Sequence, residues 1–407
     1  MADTPETTPI RRGPAGAGRA FLIFSGSNTR AVVAFCRALA ARGLEICIVA
    51  RTADDPILRT RYRRQVAAVR DLDRLDLADL ARCIAEARGK TGVQEFVVSP
   101  TSEYFNLFLL ENRDFFAGLG CTIPLVDLDL YRRVSDKHSM SRICQRQGVA
   151  VPSAITLETR PKFPFVAKPR TNVTADKRSL YPHLIFDAAE LAAFRSSETM
   201  ADFYFEEFVA GPSFYLLYYL SRDGQATAWS QQNLAQQPAG KSIVLAKAAQ
   251  IHREAVSAQF IAILQGLGFW GLAMIEIIRQ GDGYVFIELN PRFWGPFQLL
   301  LNAGSPLIDA FIDDQLALPP RAIPAPVQPA AAYLWLGGMA EAWAAGKPLR
   351  WHDGAPRRRT WAVLRHLRSD VYARRDTAGL FLHELKAAAR RRLTEHRPSD
   401  RGHAPAA

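Results

Sequence analysis

The stretch from 271 to 295, GLAMIEIIRQGDGYVFIELNPRFWG, constrains the fold of this chain more than any other. Two apolar runs flank Gly281-Asp282-Gly283, a composition suited to a three-residue hairpin loop. Closed that way, Gln280 pairs with Tyr284 and Glu276 falls opposite Glu288. Side chains alternate along a strand, so Glu288 and Asn290 share one face and Ile287 and Leu289 take the other. Two directly opposed carboxylates repel each other, and burial raises the cost. A hard cation between them removes the conflict. Glu276, Glu288 and Asn290 offer the oxygen ligands that Mg²⁺ accepts alongside water and phosphate. Arg292 would then face the anion that such a metal holds.

Upstream, strands alternate with helices. RAFLIF, LEICIVA, VQEFVVSP and GCTIPLVD read as strands, and TRAVVAFCRALAARG and LDLADLARCIAEARGKTG as helices. That order predicts an α/β unit with a parallel sheet covered on both faces. The loop SGSN after the first strand carries Gly26 alone, too little for a dinucleotide fingerprint. LYRRVSDKHSMSRICQRQGVAVP reads as a helix leading into a turn, and FPFVAKPR as a short strand ending near Lys168. Further strand-like runs follow, then LPPRAIPAPVQPAAA, a proline-rich connector.

With 407 residues the chain has room for two or three domains. The spacing of its five cysteines fits neither a zinc site nor a disulfide framework, which points to reduced core thiols and a cytoplasmic protein. The net charge is +11, and most of the excess lies after residue 345. Arginines and aromatics alternate there, so the tail is expected to be either a solvated helical appendage or a contact with an anionic surface. That surface would be nucleic acid or the inner face of a membrane.

From about residue 20 to 320 the pattern resembles the ATP-grasp superfamily, near its carbamoyl-phosphate-synthase-like and carboxylate–amine (amino-acid) ligase members. MIEIIRQGDGYVFIELNPRFWG carries the most specific part, with its E-x-N-P-R ending. Residues 1–18, rich in Ala, Gly, Pro and Thr, read as a disordered leader, and the resemblance implies a Rossmann-like pre-ATP-grasp domain over 19–127. A two-lobed α+β ATP-grasp domain follows over 128–320, with a small lobe to about 205 and a C-terminal lobe from about 206. Residues 321–407 form the connector and basic extension. It implies ATP with Mg²⁺ (or Mn²⁺) held by Glu276, Glu288 and Asn290. Lys137 and Lys168 would bind the phosphates, and Glu206, Glu207, Phe208 and Val209 would hold adenine. Arg292 and Lys168 would be catalytic.

Two positions depart from the family pattern. TNVTADKRSLYP stands where relatives carry a glycine-rich lid, and Ser213 stands where many carry an acid for the ribose. The implied reaction is carboxylate–amine ligation through an acyl phosphate, with a small carboxylate and an amine as substrates. An ATP-binding regulatory or scaffold protein without turnover, and a ligase acting on a cell-surface polysaccharide precursor, are the alternatives. A homodimer is expected at family level only.

Overall fold

A computed structural model describes residues 18–157, 162–170, 180, 182–319, 328–352 and 356–395 of the chain. Its first sheet is parallel and built from β1 (Arg19–Phe24), β2 (Ile46–Ala50), β3 (Val66–Val69), β4 (Glu95–Val98) and β5 (Cys121–Thr122). Their order is β3-β2-β1-β4-β5, so the chain reverses direction between β1 and β4. The strands are almost wholly buried, as expected where helices cover both faces of a parallel sheet. β3 carried no signal that singled it out in the sequence. Gly26 has a structural reason: its φ is +89°, and a Cβ there would meet Arg51 at 2.4 Å.

The expected single helix after 127 is two helices, Leu128–Ser135 and Lys137–Arg146. They break at Asp136, which leaves helical geometry (ψ 116°) and caps the second helix by accepting from Ser139 N at 2.6 Å. The break matters because it turns Lys137, the first residue of the new helix, toward the strands that follow.

A three-stranded antiparallel sheet comes next, with β6 (Phe165–Pro169) between β7 (His183–Ile185) and β8 (Phe203–Glu207). The largest sheet is antiparallel. It runs β13-β12-β9-β10-β11-β14, with β9 (Ser213–Leu220), β10 (Ala226–Gln236), β11 (Ile243–Ala249), β12 (Gly271–Gln280), β13 (Gly283–Asn290) and β14 (Ala332–Leu334). β15 (Arg350–Trp351) pairs with Ala235 and Gln236 of β10. It fits there because β9 ends its pairing with β10 at Asn233, which leaves the last three residues of β10 open on that side.

The segment after 320 is therefore no separate appendage. It supplies β14 and β15 to the main sheet. Asp376 also receives a paired contact from Arg37, at 2.8 and 3.0 Å, in the first helix of the chain. All five cysteines are free and buried, in line with the reduced-thiol expectation. No helix among the described residues is long and apolar enough to cross a membrane.

One aromatic cluster joins the parallel sheet to the main one. Phe293 packs on Phe35 and Phe297, with ring centroids 4.9 and 4.6 Å apart, and Phe21 packs on Phe311 at 5.4 Å. The backbone of Phe293 is also held. Its N–H donates to Pro100 O at 2.9 Å, and its carbonyl accepts from Asn28 Nδ2 at 3.0 Å. Pro100 lies just past β4 and Asn28 just past β1, so the end of β13 is fixed at the reversal point of the parallel sheet. Phe293→Ala is expected to cost about 3–5 kcal/mol, as for other fully buried Phe truncations. Urea denaturation against wild type measures it.

Candidate active site between two sheets

The hairpin places Glu276 directly opposite Glu288, as the sequence led one to expect, but by a different route. The turn is two residues long, Gly281-Asp282, and Gln280 pairs with Gly283 rather than Tyr284. The register then shifts by one residue between Glu276 and Ile277, which restores the opposition of the two carboxylates. The extra residue is Ile287. A bulge lets two neighbouring side chains face the same way, and Ile287 packs beside Val209, Ile278 and Val285 instead of lying on the far face. Its carbonyl points back into the site, 3.5 Å from Lys168 Nζ.

The groups around the hairpin come from one helix and from four strands outside it. Lys137 Nζ lies 3.1 Å from Glu288 Oε2. Asn290 Nδ2 donates to Glu288 Oε1 at 2.8 Å, and Arg292 Nη2 donates to Asn290 Oδ1 at 3.0 Å. Lys168, near the end of β6, pairs with Glu206 of β8 at 2.5 Å, and both side chains are more than nine-tenths buried. Ser213 Oγ donates to Glu276 Oε1 at 2.9 Å. Behind it, Asn233 Nδ2 donates to Ser213 Oγ at 2.9 Å and Gln231 Nε2 to Asn233 Oδ1 at 2.8 Å.

Ser213 is fully buried and serves Glu276. It is thus not a residue facing a ligand's sugar hydroxyls, and its hydroxyl fixes the orientation of the carboxylate. The polar run SQQN could have signalled this chain of side chains, since Gln231 and Asn233 share one face of the strand.

A cavity of about 100 Å³ lies between the three-stranded sheet and the main sheet. It brings together Lys137, Lys168, Glu276 and Glu288 with Glu206, Glu207, Phe208 and Val209. Asn290 and Arg292 stand outside it, one step further along the hairpin. Gly211, just after Val209, has φ +150°, and a Cβ there would meet Arg279 O at 2.3 Å, so this turn depends on glycine. The lid stretch expected at 171–182 falls mostly outside the described residues.

Arg350 was missed by the sequence reading, which placed it in a basic tail. It also lines the cavity, with its guanidinium 4.8 Å from the centre of the Phe208 ring. Burial lowers its pKa, and the Glu276 carboxylate opposes that shift. A single Arg-Trp pair in an arginine-rich tail gave no pattern from which this position could have been found.

Electrostatics divides the two facing glutamates. Burial first, and then the neighbouring Glu288 charge, push Glu276 up to about 7. Burial pushes the half-buried Glu288 up too, but the charge and hydrogen bond of Lys137, with Asn290 and Arg292, outweigh it and hold Glu288 down at about 2. Lys137 itself is raised: burial lowers it, but the charge and hydrogen bond of Glu288, with the charges of Glu103 and Glu276, together outweigh that. Among the described residues no group of three or more His, Cys, Asp and Glu is placed to hold a metal, so any set here is two carboxylates with an amide.

The sequence matches no family model and no curated protein. Solved structures do resemble it. N5-carboxyaminoimidazole ribonucleotide synthetase from Thermus thermophilus is 15% identical over 86% of this chain and 98% of that one, with a TM-score of 0.57. The biotin carboxylase–β,γ-ATP complex from Campylobacter jejuni is 16% identical over 76% of this chain and 72% of that one, with a TM-score of 0.54. The biotin carboxylase domain dimer of 2-oxoglutarate carboxylase from Hydrogenobacter thermophilus, in complex with MgADP, ADP and bicarbonate, is 14% identical. It matches over 78% of this chain and 73% of that one, with a TM-score of 0.54. The chain has the ATP-grasp fold: a parallel α/β unit followed by two antiparallel sheets that face each other across a cleft.

The split pair gives a prediction for the protein without added metal. A carboxyl raised in the folded state contributes stability that is present below its unfolded value and lost as pH rises through about 7. Glu276→Gln is therefore expected to flatten the fall in stability between about pH 4.5 and 7, by up to about 3 kcal/mol. Urea midpoints measured at steps of pH read this directly. A fall of unchanged size in the variant would assign it to other groups.

Proposed function

We propose that the chain is an ATP-dependent carboxylate–amine ligase working through an acyl phosphate. The observation that carries this reading is the buried opposition of Glu276 and Glu288, with Lys137, Lys168, Asn290 and Arg292 converging on it. The residues fit a divalent cation. Two carboxylates and the Asn290 amide lie together, and only one of the carboxylates holds a full charge near neutral pH. Mg²⁺ (or Mn²⁺), held by Glu276, Glu288 and Asn290, would supply charge neutralisation for the phosphates of ATP. That the Campylobacter and Hydrogenobacter structures hold nucleotides supports the choice of ATP.

The chain's own residues then take the following parts. Val209, Ile278 and Ile287 give the cavity an apolar wall for a base, beside the backbone of Glu207 to Val209. Lys168, already buried against Glu206, meets the phosphate chain from β6, and Lys137 meets it from its helix N-terminus. Ser213, Asn233 and Gln231 hold the Glu276 carboxylate in place. A substrate carboxylate oxygen attacks the terminal phosphorus and ADP leaves, which gives the acyl phosphate. An amine then attacks the acyl carbon, loses its proton, and expels phosphate. Arg292 stabilises the negative charge that builds on the acyl group. The substrates we favour are an amino acid as carboxylate and a second amine. A homodimer is part of this reading, supported by the dimeric Hydrogenobacter domain.

The test is product analysis with Mg-ATP, pooled amino acids and pooled small carboxylates. ADP and phosphate release that requires one pool, and that falls at least about 100-fold in Glu288→Gln, is the expected result. AMP and pyrophosphate would overturn the acyl-phosphate step. ATP binding with no release under any pool would favour the non-catalytic reading. In the same assay Arg292→Ala is expected to lower kcat with little change in the KM for ATP, because Arg292 lies outside the cavity between the sheets. Lys168→Ala is expected to raise that KM.

A further inference from the structure

We propose that a second anion site, separate from the inter-sheet cavity, takes a compact oligophosphate. It lies where the segment after β2 meets the start of the last helix, Ala378–Glu395. Five arginines, Arg59, Arg61, Arg63, Arg64 and Arg375, surround an open hollow of about 470 Å³. The first four come from two consecutive 3₁₀ turns, Pro56–Arg59 and Arg61–Gln65. Short caps fix these turns: Asp55 accepts from Ile57 N, and Thr60 accepts from Tyr62 N. Buried Tyr62 anchors them from below. Arg61 N donates to Asp376 O at 2.7 Å, which ties the turns to the segment carrying Arg375.

The charge there is uncompensated. Among the described residues none of the five guanidinium groups has a hydrogen-bond or ion-pair partner of its own. Asp376, the one carboxylate in the lining, is already engaged by Arg37 through both oxygens. Like charges gathered around a hollow raise the local potential and favour a multivalent anion. Guanidinium forks match phosphate oxygens in pairs. The lining offers no exposed aromatic ring on which a base could stack, since Tyr62 is buried. Phosphate groups in a row, rather than a nucleobase or a long single strand, suit these walls. They could come from a free oligophosphate or from a lipid headgroup.

Inorganic tripolyphosphate is the probe, titrated by calorimetry into the full chain carrying Lys168→Ala, so that retention at the inter-sheet cavity is suppressed. The expected result is saturable, salt-sensitive binding, weakened at least tenfold by Arg61→Ala with Arg63→Ala, and likewise by Arg375→Ala. The melting temperature without anion should not change, because the replaced side chains are exposed and unpartnered. Arg375→Lys should restore part of the affinity. Binding of equal strength in all variants, or none in the parent, overturns the proposal. Flotation with phosphatidic acid vesicles against phosphatidylcholine vesicles separates the two sources. Arginine-dependent flotation that tripolyphosphate competes away assigns the phosphates to a lipid. Arginine-dependent binding of a single-stranded oligonucleotide that tripolyphosphate fails to displace also overturns it.

Discussion

Two glutamates that face each other across one pair of strands set the terms for everything around them. A buried carboxylate pair repels, and it survives only where neighbouring charges and hydrogen bonds divide the load. Here the load falls unevenly. Lys137 and Asn290 take Glu288, while Glu276 keeps a hydroxyl partner and an elevated pKa. The break at Asp136, the bulge at Ile287 and the run of polar residues on β9 and β10 all serve this one opposition. The first aims Lys137, the second brings Glu288 into line with Glu276, and the third holds the Glu276 carboxylate still.

Much of this was legible in the sequence, although one agreement is partly accidental. The opposition of Glu276 and Glu288 followed from a three-residue loop and an unbroken ladder. The structure has a two-residue turn and one extra residue in the ladder, and the two differences cancel. Period-two reasoning located the carboxylates because they lie beyond the bulge. It misplaced Ile287 because that residue is the bulge. Strand alternation is a rule about regular ladders, and a one-residue insertion is invisible in hydrophobicity alone. The positions of Lys137, Lys168 and Glu206 to Val209 came from the family resemblance, and the structure brings them to one cavity with the two glutamates.

What stayed hidden depends on contacts between distant parts of the chain. Arg350 reaches the cavity because β9 stops short of the end of β10, which leaves open the residues that β15 pairs with. Nothing local in the tail announces a vacancy on a strand more than a hundred residues earlier. The hollow at Arg59 to Arg64 likewise forms only when Asp376 docks on the first helix. Charge counting assigned the basicity to an extension, yet the fold spends part of it inside. Arg350 is half-buried and feels the charge of Glu276, and Arg375 completes a ring whose other members precede residue 70.

The ion pairs within the cleft bear on how a nucleotide would enter it. Lys168 is paired with Glu206 and Lys137 with Glu288, so neither lysine faces the cavity as a bare charge. Arg350 in the lining and Arg292 just outside it add positive charge, which Glu276, raised to about 7, opposes in part. The lining sets Lys137, Lys168 and Arg350 against Glu206, Glu207 and Glu288, with Glu276 partly charged, so its charges lie close to balance. Under the proposed function, phosphate that engaged the lysines would release their carboxylates for a cation. Anion and cation binding would then be linked through shared partners, each making the other more favourable. Coupling of that kind needs no movement of the sheets. It follows from a cleft whose acids and bases are already matched one against another.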